Sequence, residues 1–397
     1  MTTVAASDVR RPMGRDGPLS VGVLGLGMAG GLMVPQLAAH PRTVLAGAAD
    51  PNELLRRRVA NDHGIEVDPD AEALLRRTDI DAVYIATPHQ FHREHVELAA
   101  RHRKHVIVEK PIALALPECD AMIAAAAAAG IVMLVGHTHG CDPAVARLRE
   151  MTVTGQFGSL AAIAMLNYTD FMYRPRRPEE LDTSRGGGIV FNQLPHQVEV
   201  ARMVAASPVR SVRAALWRLD AARPTEGCSS AFIDFESGAA ASMVYSGYDH
   251  FDSDEWHDWI SSGGRRKSPA HGAARRRLRA VAGGVDEVRM RSERFGYGGD
   301  LPVDAPTHQG HFGELVVTYE RADVRCTADG LVVYDDDGPR SIAIDPRLTG
   351  RASLLDEFCA CVLDGSPAVH DGTFARGTLA ACLALLRSAQ ARAEVLV

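Results

Sequence analysis

From residue 19 the chain repeats one pattern: a short apolar run, a turn, then a stretch with helical spacing. The apolar runs cover 21–25, 43–49, 82–87, 105–108 and 131–135, and the helical stretches cover 28–39, 51–63, 90–103 and 117–129. Runs without polar alternation suit strands buried on both faces. Strands alternating with helices of about ten to fifteen residues predict βαβ units and a parallel sheet. After Gly140 the pattern changes. Residues 142–151 read as a helix opened by Asp142 and Pro143, a cap and first-turn pair. Strand-like runs then dominate at 160–168, 209–217, 229–235, 239–245, 314–319 and 330–334, and helices return at 354–363 and 374–391. Many strands with few intervening helices predict a largely antiparallel sheet. The chain thus reads as α/β in two domains, 19–140 and 141–397, behind a mobile tail at 1–18.

Length supports two domains, since 397 residues exceed one ordinary core. Charge narrows the partners. With 43 basic and 50 acidic residues the net charge is −7, which excludes the broad cationic field of a general nucleic-acid binder. The basic run at 261–284 reads as a solvated loop, a substrate or cofactor-phosphate role being the alternative. Seven scattered cysteines contain no C-x-x-C pair, which argues for a reducing compartment and against a zinc ribbon or a thioredoxin motif. The N-terminal segment lacks an apolar signal region, and the most apolar stretch, 121–136, is split by Gly130 and too short for a membrane span. A cytoplasmic protein with no membrane partner is expected.

Gly25-Leu26-Gly27-Met28-Ala29-Gly30 fits G-x-G-x-x-G. Alone it is weak, because 36 glycines make chance matches easy. Its context strengthens it: an apolar run precedes it, a helix follows, and Asp50 lies about 20 residues on. Such glycines permit a tight turn and let a pyrophosphate approach backbone N–H groups at the positive helix end. Asp50 would accept hydrogen bonds from an adenosine ribose diol and repel a 2′-phosphate, so NAD is expected in preference to NADP. Arg56, Arg57 and Arg58 argue the other way but fall well inside the next helix.

Two more segments follow predicted parallel strands, Thr87-Pro88 with His92, and Glu109-Lys110-Pro111. Ligands of open α/β sheets collect at the carboxyl ends of strands. A lysine there can hold a substrate hydroxyl and relay its proton; the alternative is a surface pair with Glu109. These segments, the glycine loop, and Gly186-Gly187-Gly188 with Asn192 and His196 together resemble the Gfo/Idh/MocA oxidoreductases. The resemblance extends from about Leu19 over nearly the whole chain. It implies a Rossmann domain, then an α/β domain whose open sheet often forms an oligomer interface, here a homodimer or homotetramer. It also implies cofactor contacts by Gly25, Gly27, Met28, Ala29, Gly30, Asp50, Thr87, Pro88, His92, Glu109 and Lys110. Lys110 matches the catalytic lysine and His196 the histidine that assists proton transfer, a packed core histidine being the alternative. Where the family usually has Asp, this chain has Asn192, which orients a hydroxyl but cannot exchange a proton as a carboxylate does. His137-Thr138-His139 also departs from the arginine-containing segment of many members.

Neither His137 with His139 nor His308 with His311 has a Cys or carboxylate completing a recognisable ligand set, so no metal is expected. The run from Asn167 to Arg177 combines aromatic residues, including Tyr173, with Arg174, Arg176 and Arg177. Guanidinium groups bind carboxylates bidentately, and aromatic faces suit a flat ring. Within the family the run is most similar to that of enzymes acting on phthalate cis-4,5-dihydrodiol. That implies oxidation of a small cyclic diol to a catechol, with Lys110, Asn192, His196, Tyr173, Arg174, Arg176 and Arg177 as substrate contacts. A solvated or subunit-contact role for the arginines, a sugar or inositol substrate, and a non-catalytic dinucleotide sensor are the alternatives.

Overall fold

The computed structural model describes residues 17–280, 287–300 and 305–397. The tail expected at 1–18 lies almost wholly outside them, as do positions 281–284 of the basic run. Two compact units emerge. The first comprises 17–137, 291–300 and 354–376, and the second comprises 138–280, 287–290, 305–353 and 377–397. The sequence suggests one cut near residue 140, yet two later segments return to the first unit. Apolar spacing shows a segment's buried face and is silent on which core receives it.

The first unit runs β1 (Leu19–Leu24), α1 (Met28–Ala39), β2 (Thr43–Ala49), α2 (Glu53–His63), β3 (Glu66–Asp68), α3 (Ala71–Arg76), β4 (Ala82–Ile85), α4 (His92–Arg101), β5 (His105–Val108), α5 (Leu116–Ala129) and β6 (Met133–Val135). Its six strands pair in parallel in the order β3-β2-β1-β4-β5-β6. β4 and β5 are buried at every residue, as runs without polar alternation require. Helix ends follow local chemistry. Asn52 Oδ1 accepts from Leu54 N at 3.0 Å, Asp70 Oδ1 accepts from Ala73 N at 2.9 Å, and Gly64 closes α2 at φ +64°. The short β3 and α3 escape the sequence reading because three and six residues carry too little periodicity.

The second unit begins with α6 (Pro143–Thr154), β7 (Leu160–Tyr168), α7 (Gly188–Asn192), α8 (Leu194–Ala205), β8 (Val209–Trp217), β9 (Cys228–Phe235), β10 (Ala240–Ser246) and α9 (Ala273–Ala280). It continues through α10 (Glu287–Phe295), β11 (Glu314–Tyr319), β12 (Asp323–Thr327), β13 (Gly330–Asp335), β14 (Gly338–Ala343), α11 (Gly350–Cys359), α12 (Gly372–Ala391) and β15 (Val395–Leu396), with parts of α10, α11 and α12 belonging to the first unit. Nine strands form one sheet, β14-β13-β12-β11-β7-β10-β9-β8-β15, antiparallel except for the β7–β10 pair. The predicted largely antiparallel sheet is therefore present. The helix α8 lies in a stretch to which the sequence pattern assigns no element. Nearly all of it is buried, and Glu199 is satisfied in part by Gly140 N, which donates to Oε1 at 2.7 Å. The basic run is also corrected. Residues 273–280 are helical, and Arg275 turns inward over the Tyr173 ring, 4.3 Å from its centroid, donating to Tyr248 O. No described helix is long and apolar enough to cross a membrane.

Candidate active site

In the first unit the predicted residues gather at the carboxyl ends of β1, β2, β4 and β5. Gly25 follows β1 at φ +91°, and a Cβ there would stand 2.8 Å from Ala86 O. A Cβ on Gly30 would stand 1.9 Å from Gly25 O, so only glycine lets α1 approach the turn this closely. Gly27 has open space around its missing Cβ, and α1 begins there with neither a side-chain cap nor an acidic residue in its first turn. Its positive end, where Met28 and Ala29 sit, is thus clear for an anion. The buried Asp50 carboxylate is oriented by two backbone donors, Leu26 N to Oδ2 at 2.7 Å and Asn52 N to Oδ1 at 2.8 Å. Each oxygen retains acceptor capacity for a ribose diol. Arg56 turns back to donate to the carbonyls of Asp50 and Pro51 at 2.7 and 2.9 Å, while Arg57 pairs with Glu53 and Arg58 reaches Tyr297 O. Glycine turn, bare helix end and oriented carboxylate together fit a dinucleotide.

Lys110 sits two residues beyond β5, half-buried. Its backbone N donates to Glu109 Oε2 at 3.1 Å, and Glu109 Oε1 accepts from the buried Tyr84 hydroxyl. Glu118 Oε2 fixes the far end of this loop by accepting from Leu114 N and Ala115 N at 3.1 and 3.2 Å. His92 is buried, with Nε2 2.9 Å from Thr87 O and Nδ1 3.0 Å from Pro111 O. Burial holds its pKa down to about 4, so the ring is neutral and donates to one carbonyl at a time. The structure thus ties His92 between the loops after β4 and β5. Thr87 Oγ1 meets His95 Nδ1 at 2.9 Å, and Pro88 leads into a short 3-10 turn.

In the second unit, Gly186 and Gly188 take positive φ, +85° and +74°, and a Cβ on Gly187 would meet Glu180 O at 2.6 Å. Asn192 Nδ2 donates to both Gly186 O and Gly188 O, at 3.0 and 2.8 Å, which makes it the tie of this turn. His196, in the first turn of α8, is buried among rings. His139 stands edge-on to it at 4.9 Å between centroids, and Phe312 is tilted against it at 4.8 Å. His139 Nδ1 donates to Asp142 Oδ2 at 2.9 Å. The Tyr245 hydroxyl donates to Gln193 Oε1 at 3.0 Å and lies 2.7 Å from Thr169 Oγ1.

The aromatic and arginine run is more committed to the fold than its sequence suggests. The Tyr173 hydroxyl donates to Asp220 Oδ2 at 2.6 Å and meets Arg275. Arg176, with 5% of its side chain exposed, covers the Phe171 ring at 3.7 Å, donates to Phe171 O and faces Glu180. Arg177 faces Glu179 and Glu180 at 3.2 and 3.6 Å. Arg174 pairs with Asp170 at 2.7 Å yet keeps 37% of its side chain exposed, within electrostatic reach of the Tyr245 phenol. His311 uses both ring nitrogens on backbone, donating from Nε2 to Ile260 O at 2.8 Å and accepting Gly313 N at 3.1 Å. Sequence reasoning missed Tyr245, Gln193, Phe312 and the Asp142–His139 pair. A lone aromatic in a strand or loop carries no signal until sheet pairing brings it to its neighbours.

Known proteins match this arrangement. Residues 19–137 match the model of an oxidoreductase family with an NAD-binding Rossmann fold, and residues 145–261 match the Gfo/Idh/MocA C-terminal domain. The chain is 40% identical over 380 residues, 93% of this chain and 94% of the relative, to 1-carboxy-3-chloro-3,4-dihydroxycyclohexa-1,5-diene dehydrogenase of Comamonas testosteroni. A crystal structure from Bordetella bronchiseptica RB50 superposes with a TM-score of 0.91 at 44% identity, covering 96% of this chain and 100% of that one. Myo-inositol 2-dehydrogenase of Thermotoga maritima is 27% identical over 49% of this chain and 57% of its own. The protein is thus an NAD-dependent oxidoreductase, an enzyme rather than a sensor. It belongs to the Gfo/Idh/MocA family.

Proposed function

We propose that this dehydrogenase oxidises a small cyclic cis-dihydrodiol that carries a ring carboxylate, yielding the corresponding catechol. One observation carries the reading: Arg174, whose side chain is 37% exposed, interacts electrostatically with the Tyr245 phenol, and Tyr245 stacks on Phe312, which leans on the imidazole of His196. The Comamonas relative, named for a carboxylated dihydroxycyclohexadiene, supports it. Phthalate cis-4,5-dihydrodiol is one candidate and a monocarboxylated diol the other. The second is favoured, because all three arginines face carboxylates and Arg174 keeps the most side-chain exposure, 37% against 26% for Arg177 and 5% for Arg176.

Gly25–Gly30 and Asp50 would hold NAD, which would supply the hydride acceptor. Lys110 takes the hydroxyl proton as the adjacent carbinol C–H is lost, and His196 holds the second hydroxyl or assists that transfer. The hydroxy-enone then loses a ring proton to its own oxygen by tautomerisation, and aromatisation makes the oxidation strongly downhill. A positioned acid–base group contributes roughly 10² to 10⁴-fold in rate. His92 and Glu118 fix the loop that carries Lys110, which lowers the cost of positioning it.

A homo-oligomer, dimer or tetramer, accompanies this reading. Strand register puts Leu166, Trp217, Phe232 and Tyr334 on one exposed face of the nine-stranded sheet, which a second copy would cover. Seven cysteines with no disulfide among them support a reducing, cytoplasmic setting.

A sugar or inositol substrate is the second reading, favoured by the Thermotoga relative. NADH absorbance against carboxylated dihydrodiols, the same diols without carboxylates, and polyols separates the two. Turnover restricted to carboxylated dihydrodiols is expected, and turnover restricted to polyols overturns the proposal.

A further inference from the structure

We infer that Phe312 determines specificity for a flat, unsaturated ring by forming the apolar face on which the substrate ring lies. The inference rests on the carboxylated dihydrodiol reading above. Phe312 belongs to Gly310-His311-Phe312-Gly313, the turn before β11, and its neighbours are pinned. His311 is held through both ring nitrogens. Gly313, at φ +87°, lies so near β7 that a Cβ would stand 2.3 Å from Leu166 O. Phe312 is half-exposed on this anchored turn. Its ring leans on His196 at 4.8 Å and on His139 at 4.9 Å, and lies nearly parallel to Tyr245, 16° and 6.3 Å between centroids. Tyr245 is in turn within electrostatic reach of Arg174.

Phe312 therefore packs against both the imidazole assigned to the diol and the phenol with which the guanidinium assigned to the carboxylate interacts electrostatically. A diene ring spanning those groups presents a π face to it, and aromatic contacts in offset or tilted geometry add to simple area burial. A polyol there would turn hydroxyls toward a side chain with no hydrogen-bonding atom, which costs their desolvation. Phe312 touches the substrate ring but takes no part in bond making, so it selects by affinity.

The test compares a carboxylated cis-dihydroxycyclohexadiene with the saturated cis-dihydroxycyclohexane carboxylate, using the full chain with saturating NAD. In Phe312→Leu, KM for the diene should rise about three- to tenfold while KM for the saturated ring changes less than about twofold. Phe312→Tyr should restore the diene KM, and NAD affinity by fluorescence titration should stay at the wild-type value. Should Phe312→Leu not fold, Phe312→Met gives the same comparison. Equal loss on both rings, or no loss on either, overturns the inference and leaves the function standing. A wild-type enzyme that turns over polyols and no carboxylated dihydrodiol overturns the function itself.

Discussion

The two units assemble their chemistry in different ways. In the first, each candidate side chain lies within a few residues of a parallel strand's end, so one short segment delivers one piece of the candidate site. In the second, His139, Arg174, His196, Tyr245 and Phe312 come from five separate segments. The pairing of β7 with both β10 and β11 brings Tyr245 and the turn of Phe312 to one end of β7. A parallel sheet imposes the first arrangement because every strand delivers its loop to the same edge. A mixed sheet has no such rule, so its site can change by single substitutions at distant points. Within this family the cofactor side should therefore read uniformly and the substrate side should not.

The largest effect expected is on Lys110, the proton carrier proposed for the first unit. Lys110→Ala should lower kcat by roughly 10²-fold or more with NAD affinity nearly intact. Steady-state rates and a cofactor titration check it. Near-wild-type turnover would return Lys110 to a surface pair and blur the contrast between the units.

His92 tests whether the loops beside Lys110 are held by an internal tie. Its folded pKa, about 4, lies below the ordinary 6.5 because burial disfavours the charged ring. The unfolded chain then binds a proton that the folded chain does not as pH falls from 6.5 toward 4, and stability is lost over that window. The interval corresponds to about 3 kcal/mol. Replacement by Phe removes the titration, so the gap in unfolding free energy between wild type and His92→Phe should narrow by about that amount from pH 7.5 to pH 4. Denaturant unfolding at both pH values measures it, and a constant gap would sink the assignment.

On the substrate side, Arg174→Ala removes a charge-assisted hydrogen bond worth about 1.5 to 3 kcal/mol if it receives the carboxylate. KM for a carboxylated diol should rise about ten- to hundredfold, with little change for the uncarboxylated diol. Arg176→Ala should instead lower the protein's stability and affect KM for both substrates alike, because Arg176 serves the Phe171 turn. Identical profiles for the two variants would mean that neither arginine reads the carboxylate.

Much of this was legible in the chain. The uninterrupted apolar runs gave all the long parallel strands, and the glycine turn with Asp50 indicated the cofactor, because both depend on local sequence. The strands of the second sheet were legible too, except β12, β14 and β15, whose polar or very short segments lie toward the sheet's ends. Its site was legible only in pieces. Arg174 and Arg176 look alike in sequence, and only the fold turns one inward and leaves the other half-exposed. Phe312 had no motif at all.

The smallest expected effect concerns Asn192, where sequence comparison and structure pull apart. Resemblance suggests that Asp belongs here and that restoring it would help proton transfer. In this chain, however, the Asn192 amide donates to two backbone carbonyls, Gly186 O and Gly188 O. Aspartate has no donor to offer them and would bring a negative charge against both oxygens. Asn192→Asp should therefore cost about 1 to 2 kcal/mol of stability, the penalty of leaving buried acceptors unsatisfied, with no gain in kcat. Thermal unfolding and initial rates across neutral pH would check it. A variant with wild-type stability and a higher kcat would show that the glycine turn can rearrange, and that this unit keeps the relay its sequence lacks.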